Sequence, residues 1–192
     1  MDLNTKVMPP ADTVAQAWTG HYDSHGEMEE ADCVIGFAFG YRGKPDQRTP
    51  GLSNQDLANI ALKDYDEFPK IFQFEIADAY REIQAPDYKD VFQLKKHRIK
   101  GKYLDTREVA YQAKQIMDKQ GWKKAIILAH PYHVPRCDLV CQKLGIETIV
   151  TDHLRGAVEF DPQSTQKWTA NLEAWRGYEP QALLYYSLKG WL

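Results

Sequence analysis

The chain has 192 residues, 43% of them hydrophobic and 12% aromatic, with a formal net charge of -3. That length suits one ordinary domain over residues 1–192 with a sizeable core. The slightly acidic balance, without a basic stripe, argues against nucleic-acid binding.

The N-terminal stretch MDLNTKVMPPADTV has no apolar h-region, so no signal peptide is expected. No apolar run anywhere approaches the ~20 residues that span a bilayer. Residues 12–18 read as a helix capped by Asp12, and 20–30 as a polar loop in which His21, Asp23 and His25 are solvated. Residues 32–39 (DCVIGFAF) are apolar nearly throughout, which suits a strand buried on both faces. Residues 40–53, rich in Gly, Pro, Arg and Gln, read as a long loop. Ser53 or Asn54 is placed to cap a helix running to about Asp66.

A second strand is expected over 69–76, with Glu75 and Asp78 at its end, followed by a short helix over 78–83. A third strand is expected over 91–94. The cluster Lys95-Lys96-His97-Arg98 reads as a solvated edge or loop. Asp105-Thr106-Arg107-Glu108 has the spacing of a capping box, with Asp105 as cap and Glu108 three residues on. The helix it opens runs to about Gln120, and Gly121 is its natural stop. The next buried strand covers 124–129, a helix covers about 135–144, and a strand covers 147–151. Residues 161–180 hold a helix with Trp168, Leu172 and Trp175. Residues 182–188 (ALLYYSL) fit either a strand or a helix.

Strands that alternate with helical patterns imply βαβ units and a mostly parallel sheet covered on both faces. The expected architecture is therefore a three-layer α/β/α Rossmann-like domain. Three cysteines, Cys33, Cys137 and Cys141, with no CxxC, point to reduced thiols and a cytoplasmic location. His133, Cys137 and Cys141 share one helix face, but the two thiols complete an ordinary core stripe, so no metal site is expected.

The densest chemistry lies in the turn His130-Pro131-Tyr132-His133-Val134-Pro135-Arg136. Pro131 biases His130 toward extended backbone, and Pro135 belongs to a first helical turn. A strand end thus becomes a helix N-terminus, whose free N–H groups and dipole favour an anion. Arg136 is suited to a bidentate hold on a carboxylate or phosphate, and His133 to orienting a substrate or moving a proton. Gly36 and Gly40 would let backbone approach a ligand at the same edge. Glu75 would stand where Rossmann-like sites place an acid on a ribose hydroxyl. Neither GxGxxG, GxxxxGK[ST] nor GxSxG occurs.

Several of these blocks resemble the YdcF-like (ElyC/SanA/YdcF) family, a domain of unknown function. They are Ala31 to Gly36, the helix start Asp105-Thr106-Arg107-Glu108-Val109-Ala110, and Lys123 to Gly145 with its PYHVPR turn. The closing Leu183 to Trp191 is also similar. The resemblance implies a Rossmann-like fold with a loop-lined pocket, and carries over Thr106, Glu108, His133 and Arg136 as pocket residues. It ranks His133 and Arg136 above His130. Val109 stands where the family usually has Asn, and a Gly-rich turn after the second strand is replaced by Glu75-Ile76-Ala77-Asp78.

The expected function is an enzyme acting on a small anionic or nucleotide-like molecule. Arg136, His130, Thr106, Gly36, Gly40 and Glu75 would bind it, His133 would act as acid/base, and Glu108 would orient His133 or a ligand hydroxyl. The alternative is a non-catalytic module that binds a nucleotide-type ligand such as S-adenosylmethionine. An interaction protein using Trp168, Trp175, Tyr178, Tyr185 and Tyr186 is a third reading.

Overall fold

A computed structural model describes residues 8–44, 47–84 and 91–192. The expectation about the N-terminal segment falls largely on residues 1–7, which lie outside the described residues, as do residues 45–46 of the long loop.

Among the described residues the sheet is parallel throughout and has five strands in the order β3-β2-β1-β4-β5. They are β1 (Cys33–Gly36), β2 (Lys70–Gln73), β3 (Val91–Leu94), β4 (Lys124–Leu128) and β5 (Glu147–Ile149). Central β1 is buried at every position, and Ile35 lies in register between Ile71 and Ile127. A central parallel strand has helices over both faces, so an uninterrupted apolar run is what it requires.

Among the described residues six α-helices complete the α/β/α layers: α1 (Ala11–Thr19), α2 (Leu52–Asp64), α3 (Phe74–Ile83), α4 (Thr106–Gln120), α5 (Val134–Lys143) and α6 (Leu172–Leu188). Among them α2 packs on α3, α4 on α5, and α1 on both α5 and α6. This is a three-layer Rossmann-like fold, as the alternation of elements implies. Among the described residues no helix is long and apolar enough to cross a membrane.

Several local expectations are corrected. The N-cap of α1 is Pro10 and not Asp12, and that of α2 is Gly51, one residue before the helix begins at Leu52. Ser53 and Asn54 lie inside α2 and are buried, where they bond to other loops. Strand β2 stops at Gln73, and α3 starts at the next residue. Glu75 and Asp78 therefore sit on a helix, one turn apart, and not at a strand end. The 182–188 ambiguity resolves as the last turns of α6, which continues through Pro180. Pro180 has no N–H to give the preceding turn, so packing sustains this helix where propensity opposes it.

Candidate functional site

The chain leaves β1, builds β2 and β3 on one side, then crosses to β4 on the other side of β1. Such a reversal opens a crevice outside the carboxyl ends of the two diverging strands. A cleft of about 390 Å³ lies there. It is reached by Ala38, Phe39 and Gly40 after β1, by His133 and Arg136 after β4, and by the start of α4 and one face of α6.

The segment after β1 is held by side chains from neighbouring elements. Ala38 N–H donates to Gln73 Oε1 (3.1 Å) and Phe39 N–H to Asn54 Oδ1 (2.9 Å). The Asn54 amide also donates to the Gly40 carbonyl (2.8 Å). Gly40 has φ +75°, and a Cβ there would come within 2.4 Å of Thr169 Oγ1 and 2.5 Å of Ser164 Oγ. Both conformation and space demand glycine at this edge.

At the floor, two polar side chains meet on one hydroxyl. Thr106, the first residue of α4, has Oγ1 3.1 Å from His133 Nε2 and accepts from Arg136 Nη1 at 2.9 Å. Arg136 also donates to Glu179 from Nε (2.7 Å) and Nη2 (2.8 Å). Both partners are buried, at 4% and 1% exposure. Burial opposes the Arg136 charge, but Glu179, with Tyr186 and Tyr178, outweighs it and raises its pKa. Burial raises the Glu179 carboxyl above its ordinary value, and Arg136 limits that rise.

His133 is buried among Phe37, Phe39 and Trp175. Desolvation, with Arg136 and His130 nearby, holds its pKa well below 6.5, so the ring is neutral at pH 7. An imidazolium there would stand beside the Arg136 cation in a low-dielectric setting, which disfavours proton uptake. His133 Nδ1 and Trp175 Nε1 are both buried without a hydrogen-bond partner, and both residues line the cleft. Unpaired buried polar atoms are uncommon in a folded protein.

The walls are aromatic. Phe39, Tyr103, Trp168, Trp175, Tyr178 and Tyr185 all border the cleft, and Trp168 stacks on Tyr178 with ring centroids 5.2 Å apart at 20°. The aromatic residues singled out as a possible interaction surface therefore share this one concave site.

The structure thus brings together Thr106, His133, Arg136 and Gly40 from the sequence-derived set. Others lie elsewhere. Glu108 does not border the cleft: its carboxylate accepts from Arg98 Nε (2.8 Å), Arg98 Nη2 (3.0 Å), Arg98 backbone N–H (3.0 Å) and Gln112 (2.8 Å). Burial works to raise the Glu108 pKa, and these donors outweigh it to leave it lowered. The capping box is half formed, because Glu108 N–H bonds Asp105 Oδ1 while the Glu108 carboxylate turns to Arg98. Arg98, read as part of a solvated cluster, thereby anchors its loop to α4.

His130 is 1% exposed and stacks on Phe39, ring centroids 4.0 Å apart, behind the cleft. Desolvation pushes its pKa down to about 3. Gly36 is a packing glycine, since a Cβ there would lie 2.6 Å from the Phe72 ring. Glu75 is buried beside Arg48, with Oε1 3.6 Å from Arg48 Nη1. The α5 N-terminus is also less open than expected. The His130 carbonyl already accepts from the N–H groups of His133 (2.7 Å) and Val134 (3.1 Å), and Pro135 has none.

Glu179 is the principal residue that sequence reasoning missed. Its signal was present: Trp175, Glu179, Ala182, Leu183 and Tyr186 repeat at helical spacing, and all are buried. A carboxylate inside an apolar helical stripe requires a buried cation. Cys137 and Cys141 are core residues with thiol pKa values raised by burial. Among the described residues no group of three His, Cys, Asp or Glu side chains is placed to hold a metal ion. No protein-family model matches the chain, and no curated protein matches it.

Proposed function

We propose that this protein binds a small ring-bearing molecule of nucleoside type in the cleft between β1 and β4, with S-adenosylmethionine the first candidate. The observation that carries the reading is the ring of aromatic side chains around a polar floor. Flat π surfaces stack on a base without demanding charge, and a few fixed polar groups orient the rest. Unpartnered His133 Nδ1 and Trp175 Nε1 add hydrogen-bonding capacity at lining residues. The likeness of the PYHVPR turn and the Asp105-Thr106 helix start to the YdcF-like family supports the same location.

In this reading His133 is a neutral hydrogen-bonding group, and the protein is a binding or regulatory module. The second reading is an enzyme acting on a small anionic or nucleotide-like molecule. It rests on the contact between Thr106 Oγ1 and His133 Nε2, the geometry of a hydroxyl beside a base. Nothing in hydrogen-bond contact with His133 Nδ1 orients that base.

Thermal-shift and calorimetric titration with S-adenosylmethionine, adenosine, nucleoside phosphates and sugar phosphates tests the proposal. A ligand that binds only the folded state raises the melting temperature. We expect a shift with adenosyl compounds that Trp168→Ala and His133→Ala each abolish. A shift unchanged in both variants removes the cleft as the binding site. Turnover of the bound compound, lost in Thr106→Val, would favour the enzyme.

A further inference from the structure

We infer that Glu179 and Asp105 make this cleft reject anions, so that the part of the ligand reaching Arg136 is an uncharged hydroxyl- or carbonyl-bearing group and not a phosphate or carboxylate. The inference rests on the nucleoside reading above and narrows it.

An arginine on a cleft floor usually suggests an anion, because its planar fork matches phosphate or carboxylate. Here the Nε–Nη2 side of the fork is already taken. Glu179 accepts from both Nε and Nη2 of Arg136, one of the two bidentate edges a guanidinium offers an oxyanion. The carboxylate comes from α6, 43 positions along the chain, and is 1% exposed. A ligand phosphate would have to displace it, leaving a carboxylate buried without its partner, or approach with that negative charge close behind the arginine. Either arrangement is costly in a desolvated site.

The remaining charges point the same way. Among the described residues bordering the cleft the acidic and basic side chains are Asp105 and Arg136, besides the neutral His133. Glu179 behind Arg136 offsets the floor cation and Asp105 adds a carboxylate among the lining residues, against which Lys189, with Nζ 5.5 Å from the Tyr185 ring centroid, sets a cation outside the lining. The α5 N-terminus compensates less than an open one would, because the His130 carbonyl takes the N–H groups of His133 and Val134 and Pro135 has none.

What the floor still offers suits a neutral partner. Three of the five guanidinium N–H donors are used, two on Glu179 and one on Thr106, which leaves two. A ribose hydroxyl or an amide carbonyl accepts such donors without bringing a charge. Glu179 and Asp105 are therefore specificity-determining residues. Glu179 acts through Arg136, and Asp105 acts through its own field at the rim.

The test compares adenosine with adenosine monophosphate, and adds inorganic phosphate as a probe independent of any nucleoside. In the wild type we expect adenosine to bind at least about tenfold more tightly than the monophosphate. Glu179→Gln keeps the shape of the side chain and removes its charge. It should shift the ratio toward the monophosphate by about tenfold and make inorganic phosphate stabilising, where we expect no stabilisation of the wild type. Asp105→Asn keeps a good helix cap and should shift the ratio in the same direction by a smaller factor, which serves if the Glu179 variant does not fold. A wild type that binds adenosine, with a ratio unmoved in the folded variants, overturns this inference alone. A wild type that prefers the monophosphate also overturns it while sparing the cleft. A wild type that binds neither overturns the nucleoside reading, and the inference falls with it unless Glu179→Gln gains phosphate binding.

Discussion

Arg136 and Glu179 meet through two hydrogen bonds of 2.7 and 2.8 Å beneath the cleft, although 43 positions separate them in the chain. Pairing α5 with α6 in this way fixes both the charge of the floor and the position of Thr106. Breaking such a pair on one side strands a buried charge and costs about 3–5 kcal/mol. Arg136→Met and Glu179→Leu singly should each lower the free energy of unfolding in urea by that amount. The double variant should recover about half or more of the loss. Losses that simply add in the double variant would show that the two residues act independently.

Stacked on Phe39, His130 should make the protein sensitive to acid. Its folded-state pKa is about 3 against an ordinary 6.5, so below pH 6.5 the unfolded chain takes up a proton that the folded one refuses. The stability present above pH 6.5 is therefore lost progressively as pH falls toward 3. His130→Phe preserves an aromatic ring against Phe39 and removes the titration. Between pH 7 and 4 the variant should lose less stability than the wild type, by on the order of 3 kcal/mol. Equal slopes in the two proteins would mean that the imidazole reaches water.

Glu75 acts in the opposite sense. Burial raises its pKa from 4.5 to about 7, with Arg48 only partly opposing the rise. The folded state then holds the proton where the unfolded state has released it, so the stability present below pH 4.5 is lost as pH rises through 7. Glu75→Gln has no such proton to lose. Relative to the wild type it should gain up to roughly 3 kcal/mol between pH 4.5 and 8, read from unfolding curves at each pH. No relative gain would place a compensating cation closer than Arg48.

Gly40 and Gly121 share a left-handed backbone, with φ of +75° and +76°, but not their surroundings. Gly121→Ala meets open space and should cost only the conformational strain, roughly 1–2 kcal/mol. Gly40→Ala adds a clash with Thr169 and Ser164 and should cost roughly 2–4 kcal/mol. Melting temperatures of the two variants test the ranking. A reversed order would show that the loop after β1 relaxes freely.

Much of the fold was legible because burial on both faces writes itself locally. The runs around Ile35 and Ile127 read as central strands and pair in register. Asp105 was recognisable as a cap and bonds Glu108 N–H, and Gly121 ends α4 in the left-handed conformation. The start of α3 was less legible, since Phe74 and Ile76 prolong the apolar pattern of β2 although the helix has begun.

The site divides along the same line. Local sequence placed His133, Arg136 and Thr106 at element ends, because prolines and caps mark where strands stop and helices begin. The proximity of Glu179 to Arg136, the diversion of Glu108 to Arg98, and the screening of the α5 N-terminus by His130 depend on long-range packing or on the geometry of one turn. Residue type shows which chemistry a side chain can offer. Only the tertiary structure decides which partner meets it first, because a buried charge or hydrogen-bonding group pairs with whatever the fold brings within about 3 Å.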